Sequence, residues 1–282
     1  MKKLIERLLL FFVGLPLFII SVFFIPQYNY IVMHIELLVF TSLAILEMRT
    51  LISQKLQVHS IAISLVIGLL IPLASFLYAV FGLPFRIITF SIAITTIMIL
   101  FIEFLFTFSG EFEKSIERVA SSFILMIYPG YLAMYLSIMT VWQNAGIILS
   151  IFFLMVFGCD SLAWFFGMLL GKNNRGIIPA SPKKSLMGFF GGYIGTIGIG
   201  IGGFYMFPQV FSGSIWKMIL LGFMTATAAV VGDIIESVLK RSAGIKDSGK
   251  LIPGRGGVLD SLDSILLAAP VYYILCDFLF GF

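Results

Sequence analysis

The chain has 282 residues, 60% of them hydrophobic and only 11% charged, with a formal net charge of +4 and a mean hydropathy of +1.09. Soluble domains are about a quarter charged and about half apolar, so this composition excludes a water-soluble globular protein and points to an integral membrane protein. Phe-rich apolar runs of about twenty residues fit spanning helices and exclude a β-barrel, whose strands would alternate over roughly ten residues.

Nine spanning helices are predicted, over residues 4–25, 31–48, 60–81, 87–108, 119–140, 145–170, 187–207, 215–239 and 262–282. The first follows Lys2, Lys3 and Arg7, as the apolar core of a signal peptide would. However, "FFIPQYNY" offers no small-residue cleavage site, so it is read as an uncleaved span. With the N-terminus in the cytoplasm, sixteen of the eighteen Lys and Arg residues fall on the cytoplasmic side, leaving Arg86 and Lys217 outside. That bias supports an N-terminus inside and a C-terminus outside. The expected fold is all-α, one polytopic membrane domain. Residues 1–140 supply five scaffold or lipid-facing spans, and residues 141–282 supply four spans that carry the chemistry. No repeat between halves supports a transporter built from inverted repeats.

Isolated polar groups come first. Glu36 and Glu103 stand alone within apolar runs and are expected to pair with a bundle partner. Cys159 and Cys276 lack C-x-x-C spacing and are expected to be buried, reduced thiols. Two cysteines with His34 and His59 do not make a zinc site.

Three constellations stand out in the last four spans. In "FGCDSLAWFFGMLLGK", Asp160 lies inside a span, where an ionised carboxylate needs a cation, water or metal. Gly167 and Gly171, four apart, suit close helix packing. In "PASPKKSLMGFFGGYIGTIGIGIGGF", Ser181, Lys183 and Lys184 precede a helix start that could meet an anion. An ordinary positive-inside loop explains them too. Gly188, Gly192, Gly195, Gly198 and Gly202 are expected to let helices approach, and no phosphate-loop motif is present. The third runs from "VVGDIIES" through "SVLKRSAGIKDSGKLIPGRGGVLDSLDS". Asp233 and Glu236 share a helix face, Lys240 and Arg241 follow one turn later, and Asp260 and Asp263 open the last span. Capping accounts for Asp260 alone. Three aspartates around one loop would repel, and a divalent cation would relieve that, Mg²⁺ suiting hard oxygens. Acids for magnesium, cations for phosphates and glycines for close approach suggest phosphoryl or nucleotidyl transfer at a membrane surface.

The third stretch resembles the signature of the phosphatidate cytidylyltransferases, of the form S-x-x-K-R-x4-K-D-x-G-x2-[apolar]-P-x-H-G-G-x-x-D-R-x-D. Matching positions are Ser237, Lys240, Arg241, Lys246, Asp247, Gly249, Pro253, Gly256, Gly257, Asp260 and Asp263. Gly232, Asp233 and Glu236 resemble the family's "GD-x-x-ES", and "SPKK" at 181–184 and Asp160 with Ala163 are similar to its upstream motifs. The resemblance covers residues 155–270; the first five spans match in hydropathy alone. Two positions depart. Arg255 stands where the family has His, and Ser261 where it has Arg. Arg255 can hold phosphate but cannot titrate near neutral pH, and it is a candidate to replace the charge missing at 261.

The resemblance implies that CTP and phosphatidic acid give CDP-diacylglycerol and pyrophosphate in phospholipid biosynthesis. It implies Mg²⁺ on Asp233, Asp260 and Asp263, with room for a second cation. Lys240, Arg241, Lys246 and Arg255 are expected to grip CTP phosphates or the lipid headgroup. Ser181, Lys183 and Lys184, with Ser237, Gly256 and Gly257, are expected to line the same pocket, and Asp160 and Asp247 to orient cations. Expected partners are CTP, phosphatidic acid, membrane lipids and a second copy in a homodimer, with no nucleic acid. The expected location is a bacterial inner membrane, with the site facing the cytoplasm. A CTP-dependent enzyme acting on a polyprenol or other lipid, and a non-catalytic lipid-binding relative, remain the alternatives.

Overall fold

The computed structural model describes residues 19–110, 112–252 and 256–282. After a short π turn at Ile20–Phe24, the helices are α1 (Gln27–Ile52), α2 (Ile61–Phe81), α3 (Arg86–Phe106), α4 (Ser115–Leu125), α5 (Leu132–Ile138), α6 (Ala145–Leu169), α7 (Leu186–Met206), α8 (Ile215–Ser242) and α9 (Leu259–Phe280). A π segment, Met126–Tyr131, joins α4 to α5, so Ser115–Val141 forms one continuous stretch long and apolar enough to cross a membrane. Among the described residues no strand forms, and eight stretches are long and apolar enough to cross a membrane. These eight coincide within a few residues with the predicted segments from 31–48 onward. The predicted first span, 4–25, lies mostly outside the described residues. The last turn of α8 passes the predicted end at 239 because Lys240 pairs back to Glu236, four residues earlier.

Local chemistry sets the helix ends. Ser60 and Ser185 accept from the backbone amides of Ile63 and Gly188, satisfying first-turn donors of α2 and α7. Gly82, with φ 67°, ends α2 in the left-handed conformation that glycine adopts without steric cost. α9 runs through the main core: Tyr272 is fully buried against Phe152 and donates its hydroxyl to Ile148 O at 3.0 Å. Cys159 and Cys276 are buried free thiols, as expected.

The glycines of α7 divide. A Cβ at Gly188, Gly192 or Gly195 would press on Ala163, Cys159 or Leu162 of α6, so these glycines do allow close approach. Gly198 and Gly202 meet nothing within 4 Å, contrary to expectation. Gly200 and Gly203 take over, against Met155 and Ile151 of α6, with Met218 of α8 also at Gly200.

Glu103 finds the partner expected of it. Arg118 grips it with two bonds of 2.8 Å and also lies over Phe106, while His59 Nε2 lies 3.0 Å from Oε1. Burial holds the His59 imidazole below its ordinary value of 6.5 although Glu103 is adjacent. A lowered folded value means the unfolded chain binds the proton more readily. The stability His59 contributes is therefore whole above pH 6.5 and is lost as pH falls below it. The thermal midpoint should fall as the pH drops below 6.5, and His59→Asn should flatten that step. An equal step in the variant would assign it to another group.

Candidate active site

Five helix ends meet at one end of the bundle: the C-termini of α1, α6 and α8 and the N-termini of α7 and α9. Each brings part of a charged cluster. The α8–α9 contact is close because Gly232 has no side chain; a Cβ there would collide with the Asp263 carbonyl and lie 3.1 Å from Leu267 Cβ. This approach sets the acids of α8 beside those of α9.

Lys240 is the centre. Its ammonium bridges Glu236, one turn back on α8, and Asp260 in the first turn of α9. Lys240, Glu236 and Asp260 are 8%, 0% and 7% exposed, so the three charges are buried together. Asp260 Oδ2 also accepts from Ser248 N at 2.9 Å, Ser248 Oγ at 2.8 Å and Gly257 N at 2.7 Å. A second pair joins Lys184, just before α7, to Asp233 at 2.6 Å. Ser237 donates to the other oxygen of Asp233 at 3.5 Å. Asp263 is buried and accepts from the Ser264 amide at 2.6 Å, and the Ser264 hydroxyl reaches Asp160 at 3.4 Å. Asp160 on α6 thereby joins the α9 acids.

The remaining predicted residues separate into loop fasteners and exposed groups. Arg241 donates to Ala180 O at 3.2 Å and Ile245 O at 3.0 Å, tying the segment before α7 to the end of α8. Gly256, with φ 116°, pairs its backbone with Ile252 at 2.8 and 3.0 Å; a Cβ there would lie 2.6 Å from Asp260 Oδ2. Lys183, Lys246 and Asp247 are exposed, and Ser181 is half-buried in the turn leading to Lys184. Ser261 donates to Gly257 O at 3.4 Å. Arg255 and Pro253 lie outside the described residues.

Three participants escaped the sequence reading. Ser248 occupies a variable position of the signature, yet its hydroxyl meets Asp260. Glu47, at the end of α1, reaches the start of α9. Tyr128, held by the π segment, has a buried hydroxyl without a hydrogen-bond partner among the described residues, within electrostatic range of Asp263, Glu236 and Asp233. A π bulge often marks a functional position, but no sequence pattern announces one here. Glu47 reads only as a charge at a helix end, because its partners lie more than two hundred residues away.

Hard carboxylate oxygens suit a magnesium ion, so the donor chemistry fits one. The arrangement differs from the expected one. Among the described residues no three Asp, Glu, His or Cys side chains gather as a metal-holding group. The acid repulsion that sequence reasoning assigned to a divalent cation is relieved here by Lys184 and Lys240.

The family model described as "Cytidylyltransferase family" matches residues 5–279. The phosphatidate cytidylyltransferase of Helicobacter pylori is 38% identical over 154 residues, covering 54% of this chain and 55% of that protein. That of Thermotoga maritima is 37% identical over 176 residues, covering 58% and 62%. That of Synechocystis is 36% identical over 131 residues, covering 45% and 43%. The chain spans about half the length of these relatives.

Proposed function

Because the chain belongs to the cytidylyltransferase family, we propose that it transfers the cytidylyl group of CTP to phosphatidic acid, giving CDP-diacylglycerol and pyrophosphate. The observation that carries this reading is the buried Lys240 between Glu236 and Asp260 where α8 meets α9, with the half-buried Lys184–Asp233 pair beside it. Both substrates are anions, so the barrier is largely electrostatic, and positioned cations with water excluded are what lower it. The lipid phosphate oxygen attacks the α-phosphorus of CTP. A new P–O bond forms as the α–β bridge breaks, and pyrophosphate leaves. That oxygen is nucleophilic at neutral pH, so no dedicated base is required.

In this reading Lys184 and Lys240 turn from their carboxylates to the triphosphate. Asp233, Asp260 and Asp263 would hold Mg²⁺, which would neutralise phosphate charge when bound. Arg241, Lys246 and Arg255 add positive charge around the anions, while Ser181, Lys183, Ser237, Gly256 and Gly257 line the pocket. Asp160 and Asp247 orient the cations. The lipid enters sideways between helices, its headgroup at the charged end. The positive-inside bias supports nine spans with that end facing the cytoplasm, in a bacterial inner membrane. The first five spans serve as scaffold and the last four as the catalytic region. A homodimer belongs to the same reading.

The test uses purified protein in micelles with phosphatidic acid, Mg²⁺ and CTP labelled at the α-phosphate. Label should enter the lipid fraction, and Asp260→Asn should reduce transfer by about a hundredfold or more. Label confined to the aqueous phase, with folded protein and several lipid acceptors tried, would overturn the proposal.

A further inference from the structure

The start of α9 has no cap of its own: Val258, in the capping position, makes no side-chain capping bond. Its first amides are satisfied from elsewhere. The amide ahead of them, Gly257 N, donates to Asp260 Oδ2 of α9's own first turn at 2.7 Å. Val258 N and Leu259 N donate to the two carboxylate oxygens of Glu47, at 3.0 and 2.8 Å. Ser248 Oγ lies 3.1 Å from Glu47 Oε2 and 2.8 Å from Asp260 Oδ2. A carboxylate is the favoured group at a helix N-terminus, where unpaired amides and the helix dipole converge. The connection runs without a break from Glu47 through Ser248 and Asp260 to Lys240 and Glu236.

Two signature glycines make room for this carboxylate. A Cβ at Gly249 would collide with Glu47 Oε1 and lie 2.7 Å from its Cδ; one at Gly257 would collide with Oε2 and lie 2.6 Å from Cδ. Gly256 has a left-handed φ, but Gly249 and Gly257 do not. Backbone freedom therefore does not explain those two glycines, whereas the space taken by Glu47 does, joined at Gly257 by Ser248 Oγ and at Gly249 by Gly257 Cα.

We propose that Glu47 is a positioning residue for the transfer reaction: it clamps the loop ahead of α9 onto the end of α1 and so holds Asp260 against Lys240. The catalytic consequence rests on the function proposed above. The clamp itself does not. Glu47→Gln keeps the shape but offers a single carbonyl oxygen to two amides and turns an NH₂ group toward donors.

The full-length protein carries Glu47→Gln, Gly249→Ala, Glu47→Ala and the last two combined. Hydrogen exchange over 247–262 is read beside kcat and KM for CTP. Glu47→Gln should speed exchange at Val258 and Leu259 by about tenfold or more, leaving α6 and α7 unchanged. It should lower kcat by about tenfold with KM changed by less than about threefold. The harm done by Gly249→Ala should shrink in the Glu47→Ala background, because the collision is gone. Unchanged exchange with kcat within about twofold, a uniform loss of protection across all helices, or additive effects of the two alanines would each overturn the clamp. If the unsubstituted protein transfers no cytidylyl group, the function reading falls, while exchange and additivity still decide the clamp.

Discussion

Lys240→Met should be the most damaging single substitution in the cluster. It leaves Glu236 and Asp260 buried, at 0% and 7% exposure, without the cation that both share. The Lys240 ammonium is the cation set against Glu236, so the ionised form of this acid depends on the ion pair. Removing one member of a buried ionic group costs about 3–5 kcal/mol, because the other charges stay out of water. The thermal midpoint of the detergent-solubilised protein should fall accordingly, and cytidylyl transfer should be undetectable. Adding Glu236→Gln removes one stranded charge and should recover part of the stability without recovering transfer. That separation of fold from activity is what marks Lys240 as part of the site. A Lys240→Met protein that stays active would remove it from that role.

Gly232→Ala should separate α8 from α9. The added methyl meets the Asp263 carbonyl, which is backbone and cannot swing aside, and Leu267 Cβ at 3.1 Å. Overpacking of this kind costs about 1–3 kcal/mol. The effect on transfer should be larger than the effect on stability. Lys240 and Asp260 sit on opposite sides of the seam, and a small shift would misalign the group proposed to receive phosphate. Transfer should drop by about tenfold or more. Gly202→Ala is the control: its Cβ meets nothing within 4 Å, and alanine favours helix, so stability should hold or rise slightly. Equal behaviour of the two variants would show that the α8–α9 contact tolerates a methyl.

Much of the site was legible from residue types alone. Asp233, Glu236, Lys240, Asp260 and Asp263 were each visible as charges at helix ends in a chain only 11% charged. Their pairing was not. Spacing on α8 made Glu236 a neighbour of Lys240, but the approach of Asp260 depends on the collapse of the seam at Gly232. The α7 glycines show the same boundary. Helical spacing put Gly198 and Gly202 with Gly188, Gly192 and Gly195, yet the contact passes to Gly200 and Gly203, with α8 joining α6 at Gly200.

The sequence by itself determined the membrane class and the helical architecture, and it placed the eight candidate spans among the described residues to within a few residues. These follow from hydropathy, a property of neighbouring residues. It also determined that the charge would gather near the last two helices. Only the tertiary structure decided which cation answers which acid, and that Glu47 reaches across the chain to close the loop before α9. The physical reason is that a buried charge must find a partner wherever packing brings one. Packing is decided by how whole helices rotate and approach, which no local pattern encodes.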